Sequence, residues 1–227
     1  MLMLFPKISS LLPNFIDHHS HILPGVDDGV KKMEVSLKVL ERYEQLGIVE
    51  VWCTPHVMED IPNTTAKLQA RFAELCEAYQ GPIKLHLAAE YLMDALFEER
   101  LEQNDLLKLG DEGNQVLVET SYFTPPMDMD SILRRIQQKG LYPVLAHPER
   151  YVYMRKERYT TLKDKGIRFQ LNLSSLSGAY GPEAKDKARW ILKQDYYDLA
   201  GSDLHSLRNM EYWSVRAPRA LRKLLQT

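Results

Sequence analysis

The chain has 227 residues, of which 44% are hydrophobic and 26% are charged, so we expect one compact domain over residues 1–227 with a large core. Its formal net charge of −2 at pH 7 carries no signature of nucleic acid or of an anionic membrane as a partner. The two cysteines and the lack of any apolar window of membrane-spanning length predict no disulfide framework and no membrane insertion, and they favour a cytoplasmic location.

The hydrophobic pattern predicts strands and helices in regular alternation. Apolar, strand-like runs lie near residues 14–19, 48–54, 83–90, 115–120, 141–147, 167–173 and 197–202. Amphipathic stretches predict helices over residues 31–46, 64–79, 92–107, 130–139, 155–165, 182–194 and 209–225. Three of these stretches are followed directly by Gly47, Gly140 and Gly166, where glycine forms a left-handed helix cap most easily. An open doubly wound sheet and a closed barrel both accommodate this alternation.

Side chains of metal-ligand type stand at the ends of these strands. The first strand ends in His19-Ser20-His21. Because side chains alternate along an extended strand, both imidazoles point to one face, where a single cation can bind both. Asp203 and His205 have the same spacing after the last strand. Between them, each where a buried strand runs out, lie His56, Glu90, Glu119 and His147, and the turn-like segment 24–29 adds Asp27 and Asp28.

This joint pattern outweighs the ordinary explanation of each residue. A lone HxH is weak evidence, since most histidines of a folded protein lie at the surface or are satisfied in the core. Here five of the seven histidines occupy equivalent strand-end positions, together with carboxylates whose burial without a partner costs roughly several kcal/mol. The pattern predicts a polynuclear metal centre. Groups from six or more strand ends can converge only if the sheet curls round, which favours a distorted barrel of about seven βα units.

The motifs that carry these residues resemble a known superfamily. They are residues 17–29 (DHHSHILPGVDDG), Thr54-Pro55-His56, Ala89-Glu90, Val118-Glu119, residues 146–150 (AHPER) and residues 202–205 (SDLH). In this order and spacing they are similar to the polymerase-and-histidinol-phosphatase (PHP) superfamily. Within it, the sequence most resembles the manganese-dependent bacterial protein-tyrosine phosphatases of capsular and extracellular polysaccharide synthesis. The resemblance implies a distorted (β/α)7 PHP-type barrel with its metal site at the carboxyl ends of the strands.

The resemblance also implies three divalent metal ions. The first would be held by His19, His21, Glu90 and Asp203, the second by Glu90, Glu119 and His147, and the third by Asp28, His56 and His205. Manganese is preferred by resemblance, although nitrogens and carboxylates without a thiolate suit iron, cobalt or zinc as well. The implied catalytic residues are Arg150, which would bind phosphate, together with His147 and Asp203. Arg208 is available as a further basic residue.

The implied reaction is hydrolysis of phosphotyrosine by a hydroxide that bridges two metals. A tyrosyl phenolate leaves more readily than an alkoxide, so this substrate makes less demand on a general acid, and no unassigned histidine clearly provides one. The expected partner is a phosphotyrosine-containing protein, by resemblance the tyrosine-rich tail of a bacterial tyrosine kinase. Two alternatives stay open: a PHP phosphoesterase acting on a small metabolite such as histidinol phosphate or on nucleic-acid ends, and a non-catalytic binding module.

Several neighbouring residues have open interpretations. Strand parity points His18 away from His19 and His21, and His86 is expected to be structural or at the surface. Asp27 is expected to orient a ligand or a bound water, and Glu149 to do the same or to orient Arg150. The loop over residues 120–127 either offers an aromatic wall to a substrate ring or packs under its Pro-Pro turn.

Overall fold

A computed structural model describes residues 14–208 and residue 210 of the chain. Its strands are β1 (Phe15–Ser20), β2 (Ile48–Cys53), β3 (His56–Val57), β4 (Lys84–Leu87), β5 (Glu90–Leu92), β6 (Gln115–Glu119), β7 (Tyr142–Ala146), β8 (Arg168–Asn172) and β9 (Leu199–Gly201). Its helices are α1 (Met33–Leu46), α2 (Thr65–Ala78), α3 (Ala95–Gln103), α4 (Met129–Gln138), α5 (Lys156–Asp164), α6 (Leu173–Ser177) and α7 (Gly181–Lys193). A 3-10 turn follows β7 at Pro148–Arg150.

All pairings between these strands are parallel, and the strands form two sheets that together curl into a barrel. One sheet has the order β1-β2-β4 and the other the order β3-β5-β6-β7-β8-β9. The segment that follows the last strand meets the end of the first strand through a parallel bridge between Ser20 and Leu204. There the backbone N–H of His21 donates to the Leu204 carbonyl at 3.0 Å, and that of Asp203 to the His19 carbonyl at 2.8 Å. The curled parallel sheet confirms the barrel-type prediction over an open doubly wound sheet.

Two of the predicted strands are interrupted. The run near residues 48–54 continues as β3 after Thr54-Pro55, and the run near residues 83–90 continues as β5 after Ala88-Ala89. Neighbouring backbone groups stay paired across the gap, since the N–H of Ala88 donates to the Cys53 carbonyl at 2.9 Å and that of Glu90 to the Pro55 carbonyl at 3.1 Å. His56 and Glu90 therefore begin the second piece of their strands, and the expectation that each stands where its strand runs out was wrong.

The predicted helices over residues 31–194 are present with small shifts at their ends. The largest shift is in α3, which starts three residues later than expected because the Asp94 carboxylate caps it, accepting from the Phe97 N–H at 2.9 Å. It ends at Asn104, whose φ of 57° is left-handed. The helix predicted over residues 209–225 lies outside the described residues except for residue 210. Among the helices that the structure describes, none is both long and apolar enough to cross a membrane.

The two faces of the sheet pack against different parts of the protein: the outer face against the helices, and the inner face within the barrel. Val116 and Val118 of β6 belong to the main core, which includes apolar side chains of the surrounding helices. Leu117, between them, packs instead with Val144 and Ala146 of β7 on the opposite, inner face. Glu119 lies two residues beyond Leu117, so strand alternation carries its carboxylate to the inner face as well. The apolar side chains that fill the interior of the barrel therefore give way to the polar cluster at the carboxyl ends of the strands.

Candidate metal centre

The predicted metal ligands converge at the carboxyl end of the barrel. The donor atoms of eight of them form three groups in which all atoms lie within 4.8 Å of one another. These groups are His19, His21, Glu90 and Asp203; His21, Asp28, His56 and His205; and His56, Glu90 and Glu119. The ninth, His147, places Nε2 2.9 Å from Glu90 Oε1 and 3.8 Å from Glu119 Oε2. The sequence therefore identified residues that lie together, whereas their division among individual metals stays a prediction.

The groups overlap more than the family pattern implies. His56 Nδ1 lies 3.2 Å from Glu90 Oε2 and 3.3 Å from Glu119 Oε1, although the resemblance places it with Asp28 and His205. Its Nε2 also faces Asp28 Oδ1 at 3.6 Å. His56 thus bridges the buried and the outer parts of the cluster. Asp28 is the outermost member, with 64% of its side chain exposed, so this side of the cluster is the one open to solvent.

His19 and His21 are held in one tautomer by residues behind them. His19 Nδ1 lies 2.9 Å from Gln170 Oε1, and His21 Nδ1 lies 2.8 Å from Asp27 Oδ2. Both partner atoms are acceptors, so each Nδ1 donates, and Nε2 is the nitrogen that each ring turns toward the cluster. The two Nε2 atoms face each other at 3.0 Å. Two imidazole nitrogens this close repel one another unless a metal cation lies beside them, and a histidine oriented by a carboxylate is the usual metal ligand. Asp27 therefore orients His21, one of the predicted metal ligands.

Charge within the cluster also fits divalent cations. Burial raises the pKa of Glu119, and the nearby carboxylates Glu90 and Asp203 raise it further. Burial would likewise raise the pKa of Glu90, but the histidines around it, His19 foremost, hold it well below its ordinary value. Burial and the charge of Arg150 lower the pKa of His147 to about 4, which leaves this imidazole neutral at pH 7. His56 Nδ1, Glu90 Oε2 and His147 Nδ1 are buried without a hydrogen-bond partner. Neutral imidazoles and unpaired carboxylate oxygens are the donors that such cations bind.

Two of the clustered residues adopt a backbone conformation that strand geometry does not provide. His147 has a φ of 34° and Asp203 a φ of 50°, both in the left-handed region that non-glycine residues rarely occupy. Each costs on the order of 1–3 kcal/mol and persists only when its surroundings fix it. Here the His147 N–H donates to Gln170 Oε1 at 3.3 Å, and the Asp203 N–H to the His19 carbonyl at 2.8 Å. The backbone thus turns both side chains back toward the cluster.

Arg150 lies beside Asp203 at the edge of the cluster. Its Nη1 donates to Asp203 Oδ2 at 2.6 Å, and 15% of its side chain remains exposed. The rings of Tyr122 and Tyr180 lie 4.4 and 4.0 Å from its Cζ. Burial alone would lower the pKa of Arg150, but the Asp203 carboxylate raises it above its ordinary value, so the guanidinium stays charged. The arginine that the sequence singled out is therefore placed where an anion can reach both it and the cluster.

Sequence reasoning missed the residues that support this site from β8. Gln170 accepts from both His19 and His147. Asn172, the last residue of β8, donates through Nδ2 to Asp203 Oδ2 at 2.8 Å. This strand ends in amides and bears no histidine or carboxylate, so a search for metal ligands passed over it. The available signal was the strict alternation of polar and apolar residues along this run, which places Arg168, Gln170 and Asn172 on one face of the strand.

A second supporting set, here called the Asp17 cluster, consists of Asp17, Tyr43 and Ser202. Asp17 is fully buried and accepts from the Ser202 N–H at 2.7 Å and from the Tyr43 hydroxyl at 2.8 Å. The Tyr43 hydroxyl also lies 2.7 Å from Ser202 Oγ. The Asp17 cluster therefore ties β1, which bears His19, to the segment that bears Asp203.

The remaining residues that the sequence singled out lie around this centre. His18 Nδ1 lies 3.2 Å from the Ala200 carbonyl, and His86 stacks on Trp52 and faces Glu50, so both are structural. Glu149 accepts from the Asn172 N–H and the Tyr197 hydroxyl, each at 3.0 Å, and so supports β8, whereas Asp203 is the carboxylate that Arg150 contacts. Arg208 is exposed.

The loop after Glu119 was expected either to offer an aromatic wall to a substrate or to pack under its Pro-Pro turn, and its two aromatic residues differ in this respect. Tyr122 is half-buried against Arg150 and His147, with its ring 5.8 Å from the imidazole. Phe123 is 75% exposed at the rim. The first ring packs at the site, and the second offers an apolar surface beside it.

Comparison with known proteins places this centre in a family. The sequence matches the family described as "Capsular polysaccharide synthesis, CpsB/CapC" over residues 15–222. It is 31% identical to the tyrosine-protein phosphatase CpsB of Streptococcus pneumoniae, over 85% of this chain and 83% of that protein. It is 27% identical to the tyrosine-protein phosphatase YwqE of Bacillus subtilis, over 92% of this chain and 84% of that protein.

The fold leads to the same family. A solved structure from work on YwqE of Bacillus subtilis and CpsB of Streptococcus pneumoniae, which describes them as unique metal-dependent tyrosine phosphatases, superposes with a TM-score of 0.83. The match has 26% sequence identity and covers 94% of this chain and 88% of the other. Family match, sequence identity and fold agree over nearly all the described residues, and the chain belongs to the CpsB/CapC family of capsular polysaccharide synthesis.

Proposed function

We propose that this protein is a metal-dependent protein-tyrosine phosphatase, and that its substrate is a phosphotyrosine-bearing tail of a bacterial tyrosine kinase of polysaccharide synthesis. The observation that carries the proposal is the cluster of facing imidazole nitrogens and carboxylates with the charged Arg150 at its edge. Relatives named as tyrosine-protein phosphatases, over more than four fifths of their own length, support the reaction class.

The cluster holds three divalent cations in this proposal, with manganese the preferred metal. His19, His21, Glu90 and Asp203 would hold one of them; Glu90, Glu119 and His147 would hold a second; and Asp28, His56 and His205 would hold the third. The chemistry that such cations supply when bound is activation of water at neutral pH and neutralisation of phosphate charge. The site would attract anions strongly, because three divalent cations outweigh the charge of its four carboxylates.

The residues of the chain supply the positioning. Arg150 binds phosphate oxygens through its planar fork, which stays charged at every working pH. Asp203 Oδ2 holds that guanidinium at 2.6 Å, so the arginine is already in place before substrate arrives. The aromatic ring of the substrate packs beside Tyr122 and the exposed Phe123, which follow Glu119 directly.

The leaving group explains why this site suits phosphotyrosine. His147 is a metal ligand in this proposal, and burial and the charge of Arg150 lower its pKa to about 4, so at pH 7 it is a neutral imidazole and not a strong general acid. A site without a strong general acid favours the better leaving group, and a phenolate with a parent pKa near ~10 departs more readily than an alkoxide. We therefore expect tyrosine-selective hydrolysis rather than a general phosphomonoesterase.

The test is phosphate release from a phosphotyrosyl peptide, the matching phosphoseryl peptide and histidinol phosphate, each with manganese and after chelation. Metal-dependent release that is selective for the phosphotyrosyl peptide supports the proposal. Release from histidinol phosphate alone would assign the protein to small-metabolite chemistry. No release from any substrate by metal-loaded protein would favour a binding module.

Substitution of the arginine tests its assigned role. Arg150→Ala should reduce kcat/KM by roughly 100-fold or more, because the phosphate loses its fixed charged donor, while bound manganese is retained. Arg168→Ala is a matched control, since Arg168 also packs on a tyrosine, Tyr142, but at the amino ends of β7 and β8. Normal turnover by Arg150→Ala, with the metal still bound, would contradict the role.

A further inference from the structure

The side chain of Tyr180 makes contacts that the proposed reaction does not yet use. Its ring centroid lies 4.0 Å from Arg150 Cζ, closer than the Tyr122 ring at 4.4 Å. A guanidinium this close to an aromatic ring is in cation–π contact, which adds to the attraction between Arg150 and Asp203. Tyr180 comes from the connection between α6 and α7, which no metal-ligand pattern in the sequence marks.

The backbone around Tyr180 is specialised for this placement. Gly178 and Gly181 flank it with φ angles of 85° and 89°, a left-handed conformation that glycine adopts without steric cost. Gly178 caps α6, and its N–H returns to the Ser175 carbonyl at 3.0 Å. Tyr180 is the N-cap of α7, in the short turn between these two glycines.

The hydroxyl of Tyr180 closes a ring of contacts around the arginine. Asn172 Nδ2 lies 3.2 Å from the Tyr180 hydroxyl and donates to Asp203 Oδ2 at 2.8 Å. The same Oδ2 accepts from Arg150 Nη1 at 2.6 Å, and the Arg150 guanidinium lies against the Tyr180 ring. The other oxygen, Asp203 Oδ1, faces the imidazoles of the metal centre. The four residues therefore join the phosphate-binding group to a predicted metal ligand.

We propose that Tyr180 is a positioning residue that holds the Arg150 guanidinium in the orientation that binds the phosphate group of the substrate. This inference rests on the proposed function. Without the Tyr180 ring, the Arg150 side chain keeps only its contacts with Asp203 and the Tyr122 ring, so it gives up more rotamer freedom at each binding event. The hydroxyl contributes less than the ring, because Asn172 keeps its bond to Asp203 without it.

The experiment compares Tyr180→Ala, Tyr180→Leu and Tyr180→Phe with wild type and with the control Tyr142→Ala. Tyr142 makes an equivalent contact with Arg168, at 4.2 Å, at the opposite end of the barrel. Measured for each are bound manganese, Tm, kcat and KM on a phosphotyrosyl peptide, and the inhibition constant of inorganic phosphate. Tyr180→Ala and Tyr180→Leu should raise the phosphate inhibition constant and lower kcat/KM by about tenfold, with manganese retained. Tyr180→Phe should recover most of both, and Tyr142→Ala should change neither.

A second readout separates positioning from packing. In an Arg150→Ala background, Tyr180→Ala should produce no further loss of kcat/KM, because its effect passes through the arginine. An additive loss of kcat/KM in the double variant, or an unchanged phosphate inhibition constant in Tyr180→Leu, would overturn the inference. Neither result would contradict the proposed function as long as the wild-type protein hydrolyses the peptide. Should wild type itself fail to hydrolyse the peptide, calorimetric titration of the manganese-loaded proteins with phosphate still decides whether Tyr180 acts on anion binding.

Discussion

At the scale of single residues, the facing Nε2 atoms of His19 and His21 show what chemistry the first strand provides. The sequence predicted that both imidazoles share a face, because period-two alternation depends on strand geometry alone. It did not predict which nitrogen faces inward, since that depends on Gln170, which lies 151 residues away along the chain. Likewise, the inward turn of His147 depends on a left-handed φ that no local pattern signals.

Removal of an orienting residue should weaken the metal centre without deleting a ligand. Asp27→Ala should reduce manganese affinity by about 10- to 100-fold, because His21 loses the partner that fixes its tautomer. The measurement is manganese binding in competition with a chelator. Asp130→Ala serves as the control, since Asp130 pairs with Lys165 and Arg158 away from the site. Equal affinity in Asp27→Ala and wild type would show that the orientation of His21 does not depend on Asp27.

Glu149 should make stability depend on pH with a defined sign. Burial raises its pKa from 4.5 to about 7. Between those values the folded protein keeps a proton that the unfolded chain has released, so raising the pH across this window lowers stability. In wild type, the free energy of unfolding should fall by on the order of 3 kcal/mol between pH ~5 and ~8 because of Glu149, and Glu149→Gln should remove this fall. Urea unfolding of both manganese-saturated proteins checks this, and parallel pH profiles would contradict it.

At the scale of elements, helix ends were the most predictable feature of the fold. Gly47, Gly140 and Gly166 have φ angles of 79°, 74° and 74°, as expected of residues just past a helix. Of the breaks within two strands, Pro55 signals the first, because proline cannot donate to a strand ladder, whereas the apolar pair Ala88-Ala89 gives no sign of the second. Where a strand exchanges one neighbour for another depends on the curvature of the sheet, which hydrophobic periodicity does not encode.

The Asp17 cluster makes a prediction at this scale because it joins β1 to the segment after β9. Tyr43→Phe removes the hydroxyl that donates to the buried Asp17 at 2.8 Å. We expect the free energy of unfolding to fall by about 1–3 kcal/mol, the usual effect of a lost hydrogen bond to a buried charged group. Urea unfolding measures the change.

The matched control for Tyr43→Phe is Tyr79→Phe. Tyr79 also donates to a carboxylate, Glu44 Oε1 at 2.8 Å, but at a partly exposed position. Its loss should cost less, because water can replace the hydrogen bond. A smaller effect at Tyr43 than at Tyr79 would count against the Asp17 cluster as the connection between β1 and the last strand.

At the scale of the whole molecule, the prediction of a curled sheet depended on the metal-ligand residues at the strand ends and not on the hydrophobic periodicity. The alternation of strands and helices suited an open sheet equally well, and only the ligands at distant strand ends required closure. The structure brings those ends together, with Ser20 bridged to Leu204. The extent of curling and the pairing of individual strands were beyond the sequence, because they follow from packing among all the helices at once.

Metal removal should destabilise the whole barrel. Buried carboxylates that repel one another, such as Glu90 and Glu119, are stabilised by cations, and a ligand that binds only the folded state raises stability by mass action. Chelation should therefore lower Tm by several degrees, and manganese should restore it. Glu90→Ala, which removes the carboxylate nearest the largest number of donor atoms, should lose most of this response. A Tm that is independent of manganese in wild type would argue against a metal centre that spans the strands.

The bridge between Ser20 and Leu204 joins two segments that the ribosome makes at nearly opposite ends of the described chain, so the order of synthesis bears on when the metal centre can form. Its predicted ligands begin at His19 and end at His205, so the ribosome has made nearly all of the described residues before the set is complete. A nascent chain that ends at residue 202 carries all nine described strands but neither Asp203 nor His205. If the proposed ligand set is correct, we expect full metal loading only in chains whose translation has passed residue 205.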